Sequence, residues 1–387
     1  GAVASALQAW LRRHPDDSLA LARLGLVHLQ RARLTADPSY YPRAEEALER
    51  AISLRPDSYE ATLGLGALAL ARHDFRGALA LGRRAHQLDP HDEDPYGVIG
   101  DALLELGRYR RAFAAFQRMV DRRPGTAAYA RVSYARELEG DVTGALRAMR
   151  MALAAAGAPP DAAWAASQLG DLRWNTGRVA AAARAYRRSL ASVPGYPPAL
   201  AGLAKVAWAE GRPARSARLL RRAVRRYPMP EYVVALGDLA AVSGRPAAAE
   251  RWYDLARAER RLFRASGVNV DLELALFDAD HGAPRRALRA ARAEWRRRQS
   301  IHVADALAWA LFGNGRYRAA DRYARLALRL GTRNALFLYH AGMIRLGLGD
   351  RARARTLLSG ALALNPWFSF LHAGRAARVL ERLGGPR

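Results

Sequence analysis

Glycines and prolines recur along this 387-residue chain with a period close to 34, and this repeat constrains the fold more than any other feature. Eight glycines follow apolar helical runs at intervals of 33 to 38 residues, and three intervals between six prolines are 34 residues. The glycines are Gly107, Gly140, Gly177, Gly211, Gly244, Gly282, Gly315 and Gly349, and the prolines are Pro56, Pro90, Pro124, Pro194, Pro228 and Pro366. Two independent landmarks with one period predict a chain built from stacked copies of a small unit.

Each landmark has a role at the end of a helix. Glycine just past a helix takes the left-handed backbone conformation that other residues adopt at a cost. Proline cannot continue a helix, so it marks the end of the second helix of a unit. Between the landmarks, apolar residues recur at three- and four-residue steps, which is typical of amphipathic helices. We therefore predict an all-α fold of about ten helix–turn–helix units.

The clearest unit spans residues 94–124 and carries an ordered set of side chains. Tyr96 and Gly100 share a face of its first helix, and Ala112 and Phe116 share a face of its second. The same order recurs at Leu169-Gly170, Ala182, Tyr186 and Pro194, at Leu236-Gly237, Ala249 and Tyr253, and at Ala341-Gly342, Ala354, Leu358 and Pro366. This order resembles the signature of the tetratricopeptide repeat (TPR) family. The resemblance implies an α-solenoid, a right-handed superhelix of about ten repeats with a concave and a convex side.

The period divides the chain into three predicted regions. Residues 1–17 would form the second helix of a repeat whose first helix lies before Gly1, and residues 18–366 would form ten repeats. Residues 367–387 would form a C-terminal capping helix and tail that covers the last repeat. The period lengthens around residues 35–41, 157–160 and 261–267, where we expect loop insertions or helix extensions.

Composition and motifs exclude most kinds of catalytic site. The chain has no cysteine, which excludes disulfides, thiol nucleophiles and zinc–thiolate sites but leaves the compartment open. The motifs of serine hydrolases, zinc proteases and P-loop proteins are absent. We therefore predict no enzyme activity, no cofactor and no metal. We also predict no transmembrane segment, since the sequence has no run of 18 uncharged apolar residues.

Two clusters of histidine and acidic residues lie at predicted helix boundaries, in residues 91–94 and 278–281. Metal binding is one interpretation of them. We favour another, in which the aspartates cap helix amides and the histidines are exposed. A structural zinc site normally needs four converging ligands, which makes metal binding the weaker interpretation.

In the TPR family, the first helix of each repeat lines the concave groove. Helical geometry places one stripe of each first helix beside its packing face, and Lys205 is the only Lys or Arg in these stripes. The stripes are rich in acidic and aromatic residues and include Glu231 and Asp280. The predicted partner-binding groove consists of Asp101, Tyr134, Glu137, Trp164, Asp171, Trp174, Lys205, Trp208, Asp238, Asp305, Trp309 and Tyr339.

Carboxylates beside aromatic faces attract Arg and Lys side chains. We therefore predict a non-enzymatic scaffold that binds a basic or aromatic peptide or domain of a partner protein in this groove. An alternative is that the aspartates after glycine (Asp101, Asp171 and Asp238) only bind an arginine of the adjacent repeat, and that the tryptophans belong to the core.

The net charge of +26 points to a second function. Lys205 is the only lysine, so the other 61 basic residues are arginine, and many of them cluster on second helices, as at Arg187-Arg188 and Arg221-Arg222. These arginines would lie on the convex side, where they could bind nucleic acid or an anionic membrane. The two functions differ in salt response, because phosphate binding collapses steeply with added salt.

Overall fold

The computed structural model describes residues 2–384, which form twenty-two α-helices and no strand. The helices are α1 Ala2–Arg13, α2 Ser18–Thr35, α3 Tyr40–Leu54, α4 Tyr59–Ala71, α5 Phe75–Leu88, α6 Asp94–Glu105, α7 Tyr109–Arg122, α8 Thr126–Leu138, α9 Val142–Ala154, α10 Pro159–Asn175, α11 Val179–Ser192, α12 Pro197–Ala209, α13 Pro213–Arg226, α14 Pro230–Val242, α15 Pro246–Ala265, α16 Asp271–Asp280, α17 Pro284–Arg297, α18 Ile301–Gly313, α19 Tyr317–Ala327, α20 Ala335–Gly347, α21 Arg351–Leu364 and α22 Ala373–Arg382. Within residues 2–384, none of these helices combines the length and the apolar character needed to cross a bilayer.

The helices pack in consecutive pairs, for example α2 with α3, α10 with α11 and α20 with α21. All eight glycine landmarks have positive φ angles, between 69° and 80°. Each of the six prolines lies two residues after the last residue of a helix. The predicted all-α helical-repeat fold is therefore confirmed, together with the physical roles of both landmarks.

The lengthened places in the period are helix extensions. Helix α2 has 18 residues, α10 has 17 and α15 has 20, whereas α4, α8 and α12 have 13 each. At the C-terminus, the last helix begins at Ala373 and not at Trp367, and a non-helical segment precedes it. The assignment of residues 1–17 to an incomplete repeat stays a prediction. Gly1 and residues 385–387 lie outside the described residues.

The helices belong to two compact units. Unit 1 comprises Gly1–Pro124 and Ala258–Val270, and unit 2 comprises Gly125–Arg257 and Asp271–Arg387. In unit 1, Nδ1 of His73 lies 2.6 Å from the carbonyl oxygen of Asn269, which is 196 residues away in sequence. His73 has a φ of 63° and takes the left-handed position that glycine occupies in most later repeats.

Unit 2 contains contacts over a similar distance in sequence. The Thr332 hydroxyl donates a hydrogen bond to the carbonyl of Leu138, and the side-chain amide of Asn365 donates one of 2.8 Å to the carbonyl of Trp174. The partners are 194 and 191 residues apart. The stack of unit 2 therefore curves far enough for the turns of its first helix pairs to touch segments near its C-terminal end.

Gly140 offers a test of this closure. Its φ is +77°, and a Cβ there would lie 2.4 Å from the carbonyl oxygen of Gly331. Gly211 has nearly the same φ, +71°, but open space around its Cβ position. We expect Gly211→Ala to lower the free energy of unfolding by about 1–2 kcal/mol through backbone strain alone. Gly140→Ala should cost about 1–3 kcal/mol more, because the closing contact must move.

Denaturant unfolding of both variants measures this difference. Equal losses for Gly140→Ala and Gly211→Ala would contradict the closure of the stack.

Candidate functional site

The first helices of unit 2 carry a series of carboxylates, most of which link one repeat to the next. We call this set the acidic row. Its members are Glu137, Asp171, Glu231, Asp238, Asp280 and Asp305, on α8, α10, α14, α16 and α18. Asp101, the remaining acid of the predicted groove, is half-buried on α6 in unit 1.

At the N-terminal end of the row, the carboxylates contact two neutral side chains and one lysine. The Asn175 side chain donates a hydrogen bond of 3.0 Å to Glu137. The Tyr186 hydroxyl donates one of 2.7 Å to Asp171, and Nζ of Lys205 lies 3.9 Å from the same carboxylate. Asp171 thus joins α10, its partner helix α11 and the next first helix, α12.

Two acids of the row are difficult to ionise. Burial raises the pKa of Glu137, and the charge of Asp171 raises it further. Desolvation by surrounding protein also raises the pKa of Glu231, although its side chain reaches solvent. Lys205 opposes this shift, while Asp171 and Glu273 add to it. Desolvation is therefore the main cause of both raised pKa values, and the neighbouring negative charges add to it.

In the middle of the row, Asp238 accepts two hydrogen bonds of 3.0 Å, from the Tyr253 hydroxyl and from Nε2 of His281. Burial alone would lower the pKa of His281, but the bond to Asp238 and its charge raise the pKa overall. The His281 ring packs against Tyr253 and Phe277. The expectation of an exposed histidine was therefore wrong at this position, because His281 connects two repeats.

At the C-terminal end of the row, Asp305 is buried and Asp280 is half-buried. Asp280 accepts hydrogen bonds from the indole of Trp309 (2.7 Å) and from Nε2 of His372 (3.0 Å). Asp305 lies 2.9 Å from Nδ1 of His340. Burial opposes ionisation of Asp280, but His372 and the other neighbouring donors hold its pKa below the usual value. These carboxylates stabilise the packing of α16, α18 and α20.

The predicted groove residues of unit 2 form two groups by exposure. The exposed or half-buried group is Tyr134, Glu137, Trp164, Asp171, Lys205, Trp208 and Asp238. The buried group is Trp174, Asp305, Trp309 and Tyr339. Trp174 and Trp309 are therefore core residues, as the alternative interpretation of the tryptophans predicted. Partner binding by either group stays a prediction.

Sequence reasoning missed several partners of these carboxylates. Three of them lie in the same repeat as the acid they bind or in the next one, so a comparison of adjacent repeats could have found them: Asn175, Tyr186 and His281. His372 gave no such signal, because it lies 92 residues after Asp280 and follows the last repeat.

In unit 1, the carboxylates of Asp92, Glu93 and Asp94 lie within 4.8 Å of one another. Asp92 accepts a hydrogen bond of 2.7 Å from the backbone amide of Asp94, and Glu93 pairs with Arg123 at 2.9 Å. These bonds organise the loop before α6, in keeping with a structural use of the acids. The prediction that the chain holds no metal stays a prediction.

The second helices α9, α11 and α13 contain eleven arginines and no acidic residue. All eleven are exposed: Arg147, Arg150, Arg184, Arg187, Arg188, Arg215, Arg218, Arg221, Arg222, Arg225 and Arg226. We call this set the arginine surface. Desolvation, followed by the charges of Arg150 and Arg184, lowers the pKa of nearby Arg173. Positive charge is therefore crowded on this side of unit 2.

The pairing of His281 with Asp238 predicts a pH effect on stability. Because the folded pKa of His281 is raised, its contribution is complete below pH 6.5 and is lost as the pH rises through the folded value. His281→Gln should lower the free energy of unfolding by about 1.5–3 kcal/mol at pH 6 and by less at pH 8. Urea unfolding at both pH values measures this, with the exposed His91→Gln as control. A loss independent of pH would contradict the ion pair.

The family models that match this chain agree with its repeated helix pairs. Two family models described as Tetratricopeptide repeat match the chain, one at residues 69–133 and the other at residues 39–93 and 201–261. A curated relative, the cellulose synthase 1 operon protein C of Komagataeibacter xylinus, is 29% identical over 214 residues. That match covers 52% of this chain but only 14% of the relative's length.

Among solved structures, the Cut9 and Hcn1 hetero-tetramer of APC/C includes a chain with 18% identity and a TM-score of 0.42. The alignment covers 94% of this chain and 62% of that one. YrrB, described as a TPR protein with an unusual peptide-binding site, has 16% identity and a TM-score of 0.32, with coverage of 47% and 93%.

Proposed function

This chain belongs to the tetratricopeptide-repeat superfamily, whose repeats generally serve as non-catalytic protein-interaction scaffolds, and we propose that it binds a basic, aromatic segment of a partner protein in the groove of unit 2. The contact region would be the accessible end of the groove, from α8 to α14. Farther along the row, Asp280 and Asp305 form hydrogen bonds or ion pairs with side chains of later helices.

One observation carries this proposal. Desolvation raises the pKa of Glu137 and of Glu231, and the charge of Asp171 raises both further. The only lysine of the chain, Lys205, lies 3.9 Å from the Asp171 carboxylate. A guanidinium or ammonium group placed between these acids would relieve their repulsion. The exposed rings of Tyr134 and Trp164 lie on the same helices, α8 and α10, where they could stack on such a cation or on an aromatic side chain.

The test uses two labelled peptides of equal length, one alternating Arg with Phe and the other alternating Glu with Phe. Because the protein carries a net charge of +26, long-range electrostatics favour the acidic peptide. Tighter binding of the Arg peptide at 300 mM salt, measured by fluorescence anisotropy, would support a local acidic groove. Binding of the acidic peptide alone would contradict it.

The arginine surface supports a second candidate function, the binding of a polyanion such as nucleic acid or an anionic membrane. Its eleven exposed arginines on three successive second helices have no acidic residue among them. Binding of a single-stranded oligonucleotide or of anionic vesicles should then fall steeply between 150 and 500 mM salt. It should also weaken in Arg218→Gln/Arg222→Gln, whereas retention by this variant would contradict a role for α13.

A further inference from the structure

The non-helical residues 365–372, which we call the C-terminal segment, lie against predicted groove residues. Asn365 anchors the start of the segment on the carbonyl of Trp174, 2.8 Å away. The ring of Phe370 packs edge-on against Trp208, with ring centroids 5.6 Å apart. The segment therefore reaches from the last repeat pair to first helices α10 and α12 of the same unit.

Two further side chains of the segment contact the buried end of the groove. The ring of Phe368 lies 5.6 Å from that of Tyr339. His372 stacks on Tyr339 at 4.9 Å, meets the edge of Trp309 at 5.8 Å and bonds Asp280 at 3.0 Å. The side chains at the alternate positions 368, 370 and 372 thus all face predicted groove residues or the acidic row.

The segment is attached mainly through these side chains. The amide of Phe368 donates to the carbonyl of Asn365, and the amide of His372 donates to the hydroxyl of Ser369, so these backbone bonds stay within the segment. Phe368 and Phe370 are only half-buried, and Trp367 is 39% exposed. Exchange of the segment for another peptide would break these side-chain contacts. It would also open the first turn of α22, because the carbonyls of Ser369 and His372 accept hydrogen bonds from Ala373 and Ala376.

We propose that the C-terminal segment occupies the groove as an internal ligand and that a peptide of a partner protein displaces it. This peptide would carry two aromatic side chains at alternate positions and an imidazole or cationic side chain two residues after the second. This inference rests on the proposed function in taking the groove of unit 2 as a peptide site. It adds the order of side chains that the groove would accept in a peptide. It also identifies the C-terminal segment as the part of the chain that occupies the groove when no partner is bound. Asp280 would receive the cationic group, and Trp208 and Tyr339 would receive the rings.

The test uses the full chain and a labelled peptide with the sequence of residues 364–373. We expect Phe370→Ala/His372→Ala to bind this peptide at least tenfold more tightly than the unaltered protein, because its own segment no longer competes. Trp367→Ala is the matched control, since it removes an exposed ring of the same segment, and it should bind like the unaltered protein. A peptide with serine at positions 368, 370 and 372 should not bind.

Absence of any gain in a double variant with unchanged helical circular dichroism overturns the proposal. A second measurement covers the case in which the double variant does not fold. In the unaltered protein, amides of the segment should exchange with solvent at least 100-fold faster than those in the middle of α21. Equal protection would mean that the segment is part of the core, and the proposal would fall.

The outcomes also separate this inference from the proposed function. If the double variant binds the 364–373 peptide but no protein binds the Arg–Phe peptide, the acidic-groove function fails and the internal ligand stands. The opposite pattern overturns the internal ligand alone.

Discussion

Tyr186→Ala is expected to lower the free energy of unfolding by about 3–5 kcal/mol, since it removes a large side chain from a site that cannot collapse. Tyr186 is fully buried, and its ring fills the space beside Gly170 and Gly202. A Cβ on either glycine would lie 2.4 Å or less from the ring, so the three residues fit only as a set. The substitution also removes the hydroxyl donor of Asp171. Denaturant unfolding followed by circular dichroism measures the loss.

Tyr186→Phe separates the two contributions. It keeps the ring and removes only the hydrogen bond, so it should cost about 1 kcal/mol. A loss in Tyr186→Ala no larger than that in Tyr186→Phe would mean that the ring does not hold α10, α11 and α12 together.

Neutralising two acids of the row should abolish most of the affinity for a basic peptide. We expect Glu137→Gln/Glu231→Gln to bind the Arg–Phe peptide at least tenfold more weakly, because each carboxylate would pair with a cation of the ligand. Both groups have raised pKa values, so the unaltered protein should bind more tightly as the pH rises from 5 to 7.5 and the acids ionise. The double variant should lose much of this pH dependence. Fluorescence anisotropy titrations at both pH values measure it.

The matched control is Glu46→Gln/Glu49→Gln on α3 of unit 1. It changes the net charge by the same amount at two exposed positions. An equal loss of affinity in the control would assign the effect to net charge and contradict a specific site in the groove.

The fold was largely predictable because it depends on local signals. Glycines with positive φ and prolines two residues beyond helix ends punctuate the chain at the predicted places. Each signal acts on its own helix end and needs no knowledge of the rest of the chain. The helix extension of α15 is equally local, since helical residues continue past the usual end.

The candidate site was harder to predict because it depends on which face of a helix is covered. Trp174 and Trp309 lie in the predicted stripe, yet both are buried, while Trp164 in the same stripe is exposed. A shift of one residue turns a side chain by about 100° around the helix axis, so periodicity alone cannot separate the core from the edge of the groove. The backbone carbonyl of Trp174 also accepts a hydrogen bond from Asn365, a contact that no local pattern predicts.

The capping helix predicted within residues 367–387 begins later than expected for a related reason. Its apolar residues suggested a helix that packs on its immediate neighbour, and α22 does pack on α21 from Ala373 onward. The pairing of Phe370 with Trp208 joins positions 162 residues apart, which no local pattern encodes.

The closing contacts of unit 2 have a consequence for how the protein folds. A simple solenoid has only nearest-neighbour interfaces, so its ends can fray independently of its middle. The hydrogen bonds from Thr332 to Leu138 and from Asn365 to Trp174 connect repeats that are synthesised at widely separated times. Contacts of such high sequence separation slow folding and couple distant repeats. We therefore expect a nascent chain that ends before Thr332 to remain frayed at its leading repeats, and a finished chain to lose those repeats and the C-terminal ones in one transition.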